Sequence, residues 1–275
     1  MAERTPFAQR VITAFAFALI LLGPIFIGEV TGLTIIGILC ALTILEYLQL
    51  QGIKGLKLIV QVTIPMLMYL GVSFLVIEQG IVFTVEYGIY LGVAFALLLV
   101  WRLYKRYDPF AFRFQVLPAT LYIALPLAFM FMITLWEGVY RPRLAVALLL
   151  LVWTNDTMAY LIGRKWGKHI FAPVISPKKT WEGTLGGWLS TLLMAMILGQ
   201  LFGQFTFGFW IGLGIIVGVT GSIGDLIESL FKRKKNIKDS GTFLPGHGGF
   251  LDRLDSLLFC LPFVALFFLC CFETT

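Results

Sequence analysis

The chain has 275 residues, of which 59% are hydrophobic and 13% charged, with a formal net charge of +6. A water-soluble domain is about half apolar and a quarter charged, so the composition excludes one and indicates a single membrane domain over residues 1–275. The positive charge does not argue for nucleic acid, which is not expected as a partner, because in a membrane chain the placement of Lys and Arg matters more than their sum.

Taken in order, apolar stretches lie near 11–28, 32–50, 58–77, 86–102, 116–136, 143–163, 183–202, 205–230 and 251–272. Each matches the roughly 20 residues a helix needs to cross hydrocarbon, predicting an all-α, polytopic integral membrane protein with about nine transmembrane helices. The first stretch, from about Val11 to Ile27, lacks an A-x-A cleavage site and is read as a span rather than a signal peptide. With the N-terminus cytoplasmic and the C-terminus outside, 19 of the 21 basic residues fall on inner segments, leaving only Arg141 and Arg143 outside. The two connections richest in polar groups, 164–182 and 231–253, then both face the cytoplasm. Residues 1–114, nearly free of buried charge, are expected to be scaffold-like, and residues 115–275 to carry the active site. Cys40, Cys260, Cys270 and Cys271 lie in apolar stretches without CxxC spacing, which argues against a zinc site or disulfide framework. Trp101, Trp136, Trp166, Trp181 and Trp210 fall near predicted helix ends and are read as interfacial anchors.

Three segments of the second half break the hydrophobic pattern. In WTNDTMAYLIGRKWGKHIFAPVISPKKTWEGTLGG, residues 153–187, Asp156 lies eight residues before Arg164. That is about 12 Å of helix rise, below the membrane surface but away from the midplane. An acid at that depth needs a partner, whether Tyr160 at i+4, a metal ion or a basic residue of a neighbouring helix; a satisfied structural acid is the plainer alternative. Ser176-Pro177-Lys178-Lys179-Thr180 then brings two cations and two hydroxyls to a helix starting near Trp181 or Glu182, with Thr180 as N-cap and Gly183 at i+3. Free N–H groups and the dipole at such an end favour phosphate, and the lysines add to that pull, although topology alone also supplies juxtamembrane lysines.

In GVTGSIGDLIESLFKRKKNIKDSG, residues 218–241, Ser222, Asp225 and Ser229 share one helical face, with Glu228 a turn beyond Asp225. Lys232, Arg233, Lys234, Lys235 and Lys238 follow, a run that is either a stop against anionic headgroups or part of an anion site. In GTFLPGHGGFLDRLDS, residues 241–256, a glycine-rich loop precedes Asp252 and Asp255, which share a face at the start of the last helix. With Asp225 upstream, these acids indicate a divalent cation on carboxylates, with magnesium the expected ion because it takes hard oxygen ligands and bridges them to phosphates.

The run from Ser229-Leu230-Phe231-Lys232-Arg233 through Lys238-Asp239-Ser240-Gly241 to Leu244-Pro245-Gly246-His247-Gly248-Gly249-Phe250-Leu251-Asp252-Arg253-Leu254-Asp255 resembles the signature of the CDP-diacylglycerol synthases, or phosphatidate cytidylyltransferases. Asp156-x-x-Ala159-Tyr160 with Gly163-Arg164, and Ser176-Pro177-Lys178-Lys179-Thr180-x-Glu182-Gly183, are similar to upstream blocks of that family. The resemblance covers roughly residues 150–260; the first 150 match only in length and hydropathy. It implies a bacterial inner-membrane enzyme, with its active site facing the cytoplasm, that converts CTP and phosphatidic acid to CDP-diacylglycerol and pyrophosphate with magnesium, as one ion or with a second cation. It also implies a homodimer among membrane lipids. Asp225 and Asp252 are then the metal ligands, with Asp255 and Asp156 as further candidates. Lys178, Lys179, Lys232 and Arg253 hold the triphosphate and the lipid phosphate, with Ser176 and Thr180 as hydroxyl donors. Gly248 and Gly249 allow close backbone contact, and His247 either donates to a phosphate or fixes the loop. Three rivals stand beside it: a CTP-using lipid kinase, an intramembrane aspartyl protease, whose GxGD element Ser222-Ile223-Gly224-Asp225 lacks the first glycine, and a transporter, which would set its acids nearer the midplane.

Overall fold

The computed structural model describes residues 18–79, 83–136, 138–203, 205–241 and 248–272. Its helices are α1 (Ala18–Ile27), α2 (Glu29–Leu50), α3 (Leu56–Gln79), α4 (Phe83–Tyr104), α5 (Val116–Thr134), α6 (Pro142–Trp166), α7 (Trp181–Phe202), α8 (Phe207–Lys234) and α9 (Leu251–Phe272). Two short antiparallel ladders join them, β1 (Leu135–Trp136) with β2 (Val139–Tyr140) and β3 (Ile170–Ala172) with β4 (Ser176–Thr180). Among the described residues eight helices, α2 to α9, are long and apolar enough to cross a membrane. The protein is therefore all-α and polytopic, with the ladders as small additions. Helix α1 is shorter, and residues 11–17 of the expected first span lie outside the described residues.

Helix α5 is the most enclosed of the spans. It carries a π-helical stretch at Ala119–Ala124, closed by a bond from the Leu125 N–H to the Thr120 carbonyl. Pro126 has no N–H to give the carbonyl one turn back, and a widened turn just before it accommodates that deficit inside a buried bundle. At one end of the bundle the Tyr140 hydroxyl donates to the Ile25 carbonyl at 2.7 Å, and Trp136 meets Phe268 edge-on at 5.3 Å. At the other end the Tyr47 hydroxyl donates to Gln115 Oε1 at 2.6 Å, and Lys235 Nζ donates to Gln51 Oε1 at 2.6 Å. This second end also carries the β3–β4 hairpin.

Three expectations change. The 164–182 connection is not a plain loop: Ile170 pairs with Thr180 and Ala172 with Ser176, and Ile175 seats on Leu226 and Leu230 of α8. Helix α8 continues to Lys234, so Lys232, Arg233 and Lys234 occupy its last turn, where cations suit the negative end of the dipole. Of the five tryptophans read as anchors, Trp101, Trp166 and Trp181 are exposed, but Trp136 and Trp210 are buried. Trp210 lies edge-on to Phe209 at 5.9 Å and Phe202 at 6.1 Å, so aromatic packing between helices claims it instead of the interface.

The helices that carry the polar segments cross at glycines. A Cβ on Gly183 of α7 would come within 2.6 Å of the Ala159 carbonyl oxygen and 2.9 Å of Gly163 Cα on α6. On α8, a Cβ at Gly224 would lie 2.8 Å from both the Asp255 carbonyl oxygen and Phe259 Cβ of α9. Small residues at these crossings let backbones touch, as membrane helices do when they associate by packing rather than by the hydrophobic effect. Gly224→Leu should therefore lower stability in detergent by about 1–3 kcal/mol through overpacking. Gly71→Leu, at an α3 position with nothing within 4 Å of a Cβ, should leave the thermal midpoint unchanged. Equal midpoints for the two variants would show that the α8–α9 crossing has slack.

Candidate active site

At the hairpin end a cavity of about 500 Å³ opens between α6, β4, α7 and α8. Its walls bring together Asn155, Asp156, Tyr160 and Arg164 of α6, Lys178, Lys179 and Thr180 of β4, Thr184 of α7, and Ser222 and Asp225 of α8. The local sequence explains this meeting. Thr180 caps α7 as expected, its Oγ1 accepting from the Gly183 N–H at 3.2 Å, while Thr184 Oγ1 donates to the Thr180 carbonyl at 3.0 Å. The cap fixes the strand that carries Lys178 and Lys179 just ahead of the helix. Glu182, in the first turn, accepts from the Lys168 and His169 N–H groups at 3.0 and 3.2 Å and faces His169 Nδ1 at 2.5 Å, closing the hairpin base.

Lys179 Nζ pairs with Asp225 Oδ2 at 2.6 Å, and Ser229 Oγ donates to Asp225 Oδ1 at 3.1 Å, so the shared face expected for Asp225 and Ser229 is real. Ser222 of the same face accepts from Trp188 Nε1 at 3.0 Å and Asn155 Nδ2 at 3.3 Å. Asp156 accepts from Ser256 Oγ of α9 at 3.4 Å. Tyr160, one of the three partners considered for Asp156, accepts from Arg164 Nη1 at 3.5 Å.

Behind the cavity wall the acids converge. Asp225, Glu228 and Asp255 each offer a carboxylate oxygen, and the three oxygens lie within 4.8 Å of one another. Glu228 is 1% exposed and Asp255 8% exposed. Glu228 Oε1 is buried and accepts from no N–H or hydroxyl donor among the described residues. Three like charges this close repel strongly unless protons or a cation intervene, and an orphaned buried carboxylate oxygen is expensive. Hard oxygen donors in this number suit a magnesium-class dication, so the chemistry of the cluster fits the ion expected from the sequence.

Lys232 joins this cluster to the last helix, with its Nζ 2.5 Å from Glu228 Oε2 and 2.7 Å from Asp252 Oδ1. The other oxygen of Asp252 accepts the Ser240 N–H at 2.8 Å and the Gly249 N–H at 2.9 Å. Asp252 is thus held by one lysine and two amides, one lysine away from the three converging carboxylates. Gly248 adopts φ +84°, in the left-handed region, and a Cβ there would come 2.5 Å from Asp252 Oδ2. Ser240, Gly248 and Gly249 therefore close around the Asp252 carboxylate. Ser176 begins β4 and is partly buried, and Arg253 is exposed on the first turn of α9. His247 lies outside the described residues.

Sequence reasoning passed over Glu228 as a ligand and Arg164 and Asn155 as lining. Glu228 had a legible signal, since it stands at i+3 from Asp225. Arg164 could be read only as a helix-end cation until the hairpin folded back beside it. Cys40, Cys260, Cys270 and Cys271 are free thiols.

Lys232 is the electrostatic keystone of this arrangement. Lys232→Met, which leaves Glu228 and Asp252 facing without a cation, should destabilise the chain by about 3–5 kcal/mol. Adding Glu228→Gln and Asp252→Asn should recover most of that loss in thermal unfolding without ligands. An equal loss in the single and triple variants would mean that the lysine stem matters rather than its charge.

A family model described as the cytidylyltransferase family matches residues 8–271. Phosphatidate cytidylyltransferase of Staphylococcus haemolyticus strain JCSC1435 is 45% identical over 114 residues, which cover 41% of this chain and 44% of that protein. The protein of the same name from Staphylococcus epidermidis strain ATCC 12228 is 46% identical, and that from Staphylococcus aureus strain N315 is 45% identical, each over the same shares. The chain thus spans less than half the length of the curated relatives it matches.

Proposed function

This chain belongs to the cytidylyltransferase family, and we propose that it transfers the cytidylyl group of CTP to phosphatidic acid, giving CDP-diacylglycerol and pyrophosphate. The observation that carries this reading is the cavity in which Asp156 and Asp225 face Lys178, Lys179 and Arg164 at one end of an apolar bundle. Its volume suits a small polar ligand. Its position between water and hydrocarbon suits a reaction with one soluble and one lipid substrate.

An oxygen of the lipid phosphate attacks the α-phosphorus of CTP. The bond from that phosphorus to the bridging oxygen breaks, and pyrophosphate leaves with the electron pair. No side-chain nucleophile is required, so orientation and charge neutralisation supply the rate. Lys178 and Lys179 extend from a strand fixed by the Thr180 cap and hold the triphosphate, and Arg164 with Tyr160 at the mouth receives the second anion. Ser176 and Thr180 supply hydroxyls, Lys232 and Arg253 add positive charge beside Asp252, and the loop with His247, Gly248 and Gly249 approaches by its backbone. Asp225, Glu228 and Asp255 would hold magnesium, with Asp252 and Asp156 adjoining. A bound dication, or a pair of them, would screen the repulsion between the two anionic reactants.

The positive-inside distribution supports a cytoplasmic site in a bacterial inner membrane, with the N-terminus inside and the C-terminus outside. Residues 1–114 serve mainly as scaffold for residues 115–275, and the working unit is a homodimer.

Incubation with phosphatidate and CTP labelled at either the α or the γ phosphate tests the reaction. The α label should enter lipid only when magnesium is present; the γ label in lipid would identify a kinase instead. Asp225→Asn and Asp252→Asn should each lower kcat by about a hundredfold or more. Lys178→Ala should raise KM for CTP or phosphatidate about tenfold, the scale of one charge-assisted hydrogen bond. Normal KM for both substrates would remove Lys178 from the site.

A further inference from the structure

Glu46 lies in the last two turns of helix α2, whose other acid is Glu29 in the first turn, and it is far in sequence from the three polar segments of the second half. Its carboxylate accepts the Phe250 N–H at 2.7 Å through Oε2 and the Leu251 N–H at 3.1 Å through Oε1, and it also accepts from the Ser240 hydroxyl. These amides open α9, so a side chain from α2 caps a helix some 200 residues away. We propose that Glu46 is the positioning residue for Asp252, acting through Ser240 and the start of α9.

The hydrogen-bond directions support a relay. Ser240 has one hydroxyl proton, and giving it to Glu46 leaves the oxygen to accept the Asp252 N–H at 3.3 Å. The Ser240 N–H meanwhile donates to Asp252 Oδ2 at 2.8 Å, and Asp252 Oδ1 meets Lys232 at 2.7 Å. Ser240 is thereby held on both sides, by Glu46 and by the backbone and side chain of Asp252. The loop backbone is also shaped around this carboxylate. A Cβ on Gly241 would come 2.9 Å from Glu46 Oε2, and one on Gly249 would overlap Glu46 Oε1 and Ser240 Oγ. The two glycines thus admit a protein carboxylate, whereas for Gly249 the sequence indicated close approach to a ligand. A bond network that merely stapled α2 to α9 would need neither the reciprocal Ser240–Asp252 pair nor glycines on both sides of the acid.

The kinetic part of this assignment rests on the cytidylyltransferase reading; the geometric part does not. The full chain in detergent, as wild type, Glu46→Gln and Glu46→Ala, is assayed for kcat, KM for CTP and hydrogen exchange of the peptide spanning 236–252. Wild-type turnover establishes the reaction first. Expected is a fall in kcat of about fivefold for Gln, which keeps one acceptor oxygen, and about thirtyfold for Ala, with KM for CTP within twofold. Exchange of the 236–252 peptide should rise in the same order. If Glu46→Ala fails to fold, Glu46→Gln decides alone. Unchanged kcat with unchanged exchange in Glu46→Gln overturns the assignment, and so does a rise in KM equal to the loss in kcat. If the wild type transfers no cytidylyl group, the kinetic assignment falls with that reading, while the exchange measurement still tests the Glu46 clamp: an increase upholds the clamp and no change overturns it.

Discussion

Mutual repulsion among buried and half-buried carboxylates is the constraint from which the rest of this molecule follows. Asp225, Glu228 and Asp255 converge inside an apolar bundle where each charge is costly, and Asp252 stands one lysine away. Lys179 and Lys232 reach in from a hairpin and a helix end to offset part of that cost. The orphaned Glu228 oxygen marks what remains, and a hard cation would meet it with the ligands already present. With a cation bound, such a cluster would become a receptor for negative reactants.

Geometry of that quality depends on how closely the helices approach. The glycine crossings of α6 with α7 and of α8 with α9 bring Asp156, Asp225 and Asp255 together without bulky side chains between them. The Thr180 cap and the β3–β4 ladder hold the lysine-bearing strand over the gap. Glu46 fixes the opposite border from α2. Electrostatics and packing are therefore one design: the crossings create the convergence, and the lysines make it tolerable.

Much of this was legible in the sequence for physical reasons. Hydrocarbon thickness sets helix length, so the spans could be read from hydropathy, with errors of a few residues at ends such as that of α8. The Thr180 cap and the Asp225–Ser229 face followed from local spacing. What stayed hidden depends on non-local contacts. The β3–β4 hairpin was obscured because its strands are short and its residues polar, so no alternation stood out. Trp136 and Trp210 were misread because position along a helix does not reveal which side faces a neighbour. Glu46 was passed over in the sequence, since its partners lie at the far end of the chain. Glu228 was passed over although its spacing from Asp225 placed it on the right face.

The central claim is that Asp225, Glu228 and Asp255 form a cation site before any substrate arrives. The most direct measurement is the electron paramagnetic resonance of free Mn²⁺ titrated into the purified full chain without nucleotide or phosphatidate. The account predicts saturable binding that disappears in the Asp225→Asn, Glu228→Gln, Asp255→Asn triple variant while the variant remains folded. Undiminished binding in that variant would contradict it.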